Sequence, residues 1–193
     1  MEFFGNATLE NKDTFSHVYI LMNKPSGYVC SYVSDSHKTV YQLLSEPLQK
    51  LMKNPRGKKL HTVGRLDCQT SGLLLLTTDG FFSNKLTRPE SHVEKVYKAN
   101  LKNPVFPENQ SDYVSRFKNG LILPPERKFP EQKTGPADLV FMNQFECLVT
   151  VREGKFHQVR RMFLALQNEV VELQRIKIGD YLLPDDLKEG DYK

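Results

Sequence analysis

The chain has 193 residues, 39% of them hydrophobic and 26% charged, with 27 basic against 23 acidic side chains for a net charge of +4. This is the composition of a globular chain with a sizeable core, and it excludes collagen, coiled coil and wholesale disorder. No apolar run approaches the roughly 20 residues of a membrane helix, and residues 1–14, carrying Glu2, Glu10 and Asp13, do not read as a signal peptide. The 3 cysteines, Cys30, Cys68 and Cys147, lack paired spacing. They predict neither a disulfide framework nor a zinc site, and they fit a reducing, cytoplasmic setting.

Residues 17–22 read as a strand, ended by the turn Asn23-Lys24-Pro25-Ser26-Gly27, with a second short strand over 28–33. Thr39 is positioned to cap a helix through Met52, although Pro47 is set to split it. A basic loop follows around Pro55 and Gly57, and the run Leu73–Thr78 has the length of a buried strand. Asp79 is placed to cap a helix running to Leu86. Further on, Lys95–Leu101 alternates as a strand, and Pro107–Asn119 reads as a helix closed by Gly120. The proline-rich stretch 124–136 is expected to be a long loop or a boundary between two lobes. Strands over 137–142 and 146–152, a helix over 157–167 and a strand over 170–178 complete the pattern. Strands without regular βαβ alternation predict an α+β fold.

Charge is unevenly spread. Lys50, Lys53, Arg56, Lys58, Lys59 and Arg65 fall in one stretch without an acidic residue, and Arg152, Lys155, Arg160 and Arg161 form a second cluster. Both fit a polyanion-binding surface and equally fit solvated faces. His17, His37, His61, His92 and His157 lack ligand spacing, so no metal site is expected. Phosphate-binding glycine loops, dinucleotide fingerprints and nucleophile elbows are missing from the sequence. Three segments could carry chemistry: Gly64-Arg65-Leu66-Asp67 leading through Thr70-Ser71-Gly72, Glu94-Lys95-Val96-Tyr97-Lys98, and the stretch from Glu153 to Met162. Each alone has an ordinary reading, as a polar turn, a core tyrosine and a basic helix face.

Together and in this order, the three segments resemble the pseudouridine synthases, which convert uridine in RNA to its carbon-linked isomer. Gly64-Arg65-Leu66-Asp67 is similar to the catalytic-aspartate motif, Lys95-Val96-Tyr97 to the tyrosine motif, and His157-Gln158-Val159-Arg160-Arg161-Met162 to the region supplying a basic partner for the aspartate. The stretch Leu21–Ser31 resembles the branch acting on ribosomal RNA, and Tyr28-Val29-Cys30-Ser31 with His37-Lys38-Thr39-Val40 resembles its small-subunit members. The resemblance implies a mixed, largely antiparallel sheet flanked by helices and a central RNA cleft, with residues 17–193 as the catalytic domain. Members of this branch commonly begin with a small basic RNA-binding domain, of which residues 1–16 would be a linker remnant.

The resemblance also implies roles. Asp67 is the nucleophile, Tyr97 the platform for the uracil, and Arg160 the cation offsetting the cost of burying an ionised carboxylate. Arg65, Lys58, Lys59, Lys155, His157 and Arg161 are expected to contact RNA. Isomerisation involves no redox change and no transfer to water, so neither metal nor cofactor is expected. The expected partner is ribosomal RNA, in a small-subunit assembly intermediate, with no membrane and no small-molecule ligand. The alternatives are a large-subunit target, a non-catalytic RNA-binding protein, and a hydrolase using Asp67 with Asp79.

Overall fold

The computed structural model describes residues 17–53 and 58–193; the segment 1–16 and the loop positions Pro55, Arg56 and Gly57 lie outside the described residues. The chain forms two compact units, Met1–Ser91 with Leu182–Lys193, and His92–Tyr181. The lobe boundary expected at 124–136 is therefore displaced. That stretch lies inside the second unit, where Thr134 is tied to Leu121 by bonds of 2.8 and 2.9 Å. Proline and charge marked a loop there, and this loop is fastened to its own unit.

The first unit contains β1 (Tyr19–Lys24), β2 (Tyr28–Val29), β3 (Lys38–Thr39), α1 (Glu46–Met52), β4 (His61–Thr62), β5 (Thr70–Thr77) and α2 (Gly80–Thr87). β1 and β4 both pair antiparallel with β5, while β2 and β3 form a short parallel pair. The leucines of β5, Leu73 to Leu76, are at most 2% exposed. A strand covered on both faces gives an unbroken apolar run instead of alternation. On its other edge, β1 bonds with the segment near residue 190: Leu21 and Lys193 exchange bonds of 2.8 and 2.9 Å.

The single helix expected over 39–52 is two pieces. Thr39 opens a 3-10 turn over Val40–Leu43, and α1 starts after Ser45 with Pro47 in its first turn, where a missing N–H removes no helical bond. The strand expected over 28–33 shortens to two residues. Asp79 caps α2 as expected, its Oδ1 accepting the amides of Phe81 and Phe82 at 2.9 and 3.1 Å.

The second unit contains β6 (Lys95–Leu101), α3 (Pro107–Asn119), β7 (Ile122–Leu123), β8 (Gln132–Lys133), β9 (Asp138–Phe141), β10 (Glu146–Val151), α4 (Gln158–Leu164) and β11 (Val170–Ile178). β11, β6, β10 and β9 pair antiparallel in that order. Their buried residues, among them Ala99, Leu139, Val149 and Leu173, form one core with Phe117 of α3 and Phe163 of α4, whose rings lie 5.0 Å apart. Gly120 closes α3 at φ 79; a Cβ there would stand 2.5 Å from the Thr134 carbonyl oxygen, so only glycine fits. Both units together make an α+β fold with a mostly antiparallel arrangement of strands. No helix among the described residues is long and apolar enough to cross a membrane.

Candidate active site

Asp67 lies in the turn that delivers the chain into β5, half-buried, with Arg65 exposed and Leu66 buried beside it. The turn is held by three neighbours. Lys24, fully buried at the end of β1, donates from Nζ to the carbonyls of Pro25 (3.1 Å), Asp67 (3.2 Å), Cys68 (3.2 Å) and Thr70 (2.7 Å). Gly27, at φ 87, donates its amide to the Cys68 carbonyl at 2.8 Å. The Cys30 thiol accepts the Leu66 amide at 3.4 Å and donates to the Leu66 carbonyl at 3.5 Å. The main chain on both sides of Asp67 is thus fixed, which holds its side chain at a defined height. The sequence reading placed Lys24 in the turn that ends the first strand; the structure makes it the last, fully buried residue of β1.

In the second unit Tyr97 is half-buried on β6, on the sheet face that packs on the core. Directly across from it on β11 stands Arg175, only 2% exposed. Opposed residues of antiparallel strands hold their Cβ atoms about 5 Å apart, so a buried guanidinium accompanies the tyrosine. Burial, and then the charge of Arg175, hold the Lys95 amine below the usual lysine range. Sequence reasoning named neither Arg175 nor its face. The register of β6 against β11, unknown until the strands are paired, is what brings it beside Tyr97.

The third segment is divided in direction. Arg160, half-buried, donates from Nη1 to the Val170 carbonyl at 2.7 Å. Arg161 is 1% exposed, with Nε on the Pro124 carbonyl (2.9 Å), Nη1 on Phe156 (3.1 Å) and Nη2 on Pro130 (2.9 Å). The expectation that Arg161 contacts RNA is corrected: each of its nitrogens serves the protein's own main chain. Successive helix residues diverge by about 100°, which separates the two neighbours.

His157 adopts φ 47 at the head of α4, stacks on Phe156 at 3.8 Å, and meets Glu126 Oε1 through Nδ1 at 2.9 Å. Phe156 stacks in turn on Phe129 at 4.1 Å. Lys155 is ion-paired to Glu153, and Arg152 to Glu94 and Asp138 at 2.6 and 2.9 Å. These two carboxylates, Asp138 first, push the Arg152 guanidinium above its usual range. Two of the four cations of the second basic cluster, Arg152 and Lys155, are therefore neutralised inside their own unit. In the first cluster Lys58 and Lys59 are exposed, and Lys58 Nζ also lies 3.1 Å from His17 Nε2. No cluster of three metal-ligating side chains occurs among the described residues.

The family model described as RNA pseudouridylate synthase matches residues 18–165. The protein named ribosomal small subunit pseudouridine synthase A from Haemophilus influenzae is 41% identical over 175 residues, spanning 91% of this chain and 68% of that protein. The protein of the same name from Escherichia coli K12 is also 41% identical, with 91% and 69% covered. A crystal structure of a pseudouridylate synthase is similar at TM-score 0.79 and 40% identity, covering 92% of this chain and 70% of that one. The structure of human RNA pseudouridylate synthase domain containing 1, 16% identical with 94% and 86% covered, shares the fold at TM-score 0.57. The chain belongs to the RNA pseudouridylate synthase family, and is an isomerase of uridine in RNA.

Proposed function

We propose that this chain isomerises a single uridine of small-subunit ribosomal RNA, acting in the cytoplasm on a partly assembled subunit, without metal or cofactor. The observation that carries this reading is the 41% identity, over 91% of the chain, to relatives named for the small ribosomal subunit. The reaction breaks the bond between ribose C1′ and uracil N1, turns the base, and joins C1′ to C5. The proton leaves C5 and one is returned at N1, so the balance needs no outside reactant.

Asp67 is assigned the nucleophile's role, consistent with a turn anchored on both sides by Lys24, Gly27 and Cys30. Tyr97 is assigned the face on which uracil stacks, an interaction typically worth about 1–3 kcal/mol per base. The cationic partner that the resemblance attached to Arg160 is reassigned to Arg175, because Arg160 donates to a carbonyl and Arg175 is buried beside Tyr97. Arg65, exposed two residues before Asp67, is suited to fill the gap left by a flipped uridine. Lys58 and Lys59 are assigned to phosphates.

The test is release of tritium from RNA labelled at uracil C5, followed by pseudouridine mapping on small- and large-subunit precursors. Asp67→Asn should lower turnover at least about a thousandfold, equivalent to roughly 4 kcal/mol of barrier, with RNA binding retained. Arg175→Lys should reduce single-turnover rates more than Arg160→Ala; the reverse order would return the role to Arg160. Modification confined to large-subunit RNA would overturn the target while leaving the chemistry intact.

A further inference from the structure

Phe81, in the first turn of α2, is 93% exposed. A lone apolar side chain at a surface needs no explanation, but this one has company. Asn84 and Lys85 follow at +3 and +4, and Arg88, the residue closing the helix, at +7; all three are exposed. That spacing collects side chains on one stripe of a helix. The opposite stripe does the packing, with Phe82 edge-on to Tyr19 at 5.1 Å and Leu86 only 7% exposed. Phe81 therefore contributes nothing visible to the core.

The cations on the stripe differ from those that are tied up in ion pairs. Lys50, Lys98, Lys102, Arg116, Arg152 and Lys155 are each paired with a carboxylate. Among the described residues, neither Lys85 nor Arg88 forms an ion pair. Asp79, at the head of the helix, is occupied by the amides of Phe81 and Phe82 and by the Tyr19 hydroxyl at 2.7 Å. Glu90, exposed beyond Arg88, pairs with neither cation. A bare aromatic ring interleaved with free cations suits a single-stranded nucleic acid, whose bases stack and whose phosphates take the charge.

The stripe also has a direction. The last turn of α2 abuts the turn bearing Asp67: a Cβ on Gly64 would lie 3.4 Å from Thr87 Cγ2. From Arg88 back to Phe81 the helix rises about 10 Å, on the order of three nucleotide steps for a strand stacked at the duplex spacing of about 3.4 Å. We propose that this stripe binds single-stranded RNA flanking the target uridine. Arg88 and Lys85 take phosphates near the catalytic turn, and Phe81 stacks on a base about three nucleotides away. The inference rests on the reading of the chain as an RNA isomerase and adds a second contact to it, remote from the reacting base.

The experiment uses the whole chain with a fluorescein-labelled oligouridylate of about twelve nucleotides, long enough at these rises to cover the stripe. Phe81→Ala should weaken binding roughly five- to hundredfold, and Phe81→Trp should restore it. Replacing Lys85 and Arg88 by glutamine should flatten the log–log salt dependence by about one and a half units. With 5-iodouridine in the oligonucleotide, photocrosslinking should label Phe81. Unfolding midpoints should not move, since these side chains are exposed. Unchanged affinity and salt slope would overturn the proposal, as would an effect of Phe81→Ala on self-association or on capture of a ribosomal protein in place of RNA. Tritium release measured alongside separates the two readings: normal turnover with an inert stripe removes only this proposal, and RNA binding through the stripe with turnover surviving Asp67→Asn removes only the catalytic assignment.

Discussion

Each unit of this chain contains a turn organised by one buried cation that donates to main-chain carbonyls, and the two cations differ in kind. In the first unit Lys24 gathers four carbonyls around a single nitrogen, two of them from Asp67 and Cys68. In the second, Arg161 spreads three nitrogens over Pro124, Phe156 and Pro130, joining segments more than twenty residues apart. An ammonium is a compact point with rotatable donors, and a guanidinium is a rigid fork. The lysine fastens the short stretch Asp67–Thr70 to the end of β1 in one knot, whereas the arginine spans a hairpin base from strand to helix. The role proposed for Asp67 requires the knot. The Glu126–Phe129 hairpin, closed by reciprocal bonds of 2.9 Å, requires only that its two ends be kept together.

The sharpest way to break this comparison is to remove the lysine. Lys24→Met takes the ammonium from the carbonyls of Pro25 and Thr70, while those of Asp67 and Cys68 keep the amides of Thr70 and Gly27; each group left unsatisfied costs about 1–3 kcal/mol. With partial relaxation, a loss of about 3–5 kcal/mol in urea unfolding, or failure to accumulate folded protein, is the expected result. A midpoint corresponding to less than about 1 kcal/mol of loss would mean that the carbonyls are satisfied without Lys24. Arg161→Lys should be milder, about 2–3 kcal/mol, because one nitrogen replaces three. Its specific sign is local: trypsin should cut after Arg127 or Lys128, both exposed on the hairpin, faster than in the wild type. Cleavage at the wild-type rate would show that the Phe129–Phe156 stack alone holds the hairpin.

A smaller effect is expected at Asp79, whose carboxyl is held below its ordinary value first by the Tyr19 hydroxyl and then by the Phe82 amide. Loss of the cap in Asp79→Ala should cost about 1 kcal/mol at neutral pH. Because the folded value is the lower one, the stabilisation is complete above the ordinary carboxylate range. It fades as the pH falls through 3.8 and below, so wild type and variant should converge in acid. Smallest of all is the exposed pair of Lys50 and Glu46, 2.9 Å apart on α1. Lys50→Ala should change stability by less than about 0.5 kcal/mol, and a larger change would show that charge position matters on this surface as much as burial.

Legibility from the sequence followed the type of signal. β6, α3 and β11 match their expected bounds, because alternation, a first-turn proline with a closing glycine, and an apolar-edged run are local patterns. The order of the three motifs was also readable, and with it the family. Direction was not. Arg160 and Arg161 are adjacent and chemically alike, yet one sits half-open and the other is sealed; only the packing of α4 decides which. Arg175 is one polar residue in a strand until β11 pairs with β6 and sets it opposite Tyr97. Lys24 falls in the expected turn Asn23–Gly27, and nothing local in that turn shows where its ammonium goes. Three of the four carbonyls that receive it lie more than forty residues away.

The pairing of β1 with the segment near residue 190 has a bearing on synthesis. Leu21 bonds to Lys193, and Asn23 to Gly190 and Asp191, so the first unit is assembled from stretches at both ends of the numbering while the second is continuous. On a ribosome the residues of β1 emerge before their partners near residue 190, so that edge stays open until the whole of His92–Tyr181 has been translated. At 5–20 residues per second, the roughly 170 residues separating the partners correspond to a wait on the order of ten seconds. Throughout that interval an apolar strand presents unpaired amides and carbonyls. Such a nascent chain is a natural client for chaperones during its own manufacture, until the segment near residue 190 closes the edge of β1.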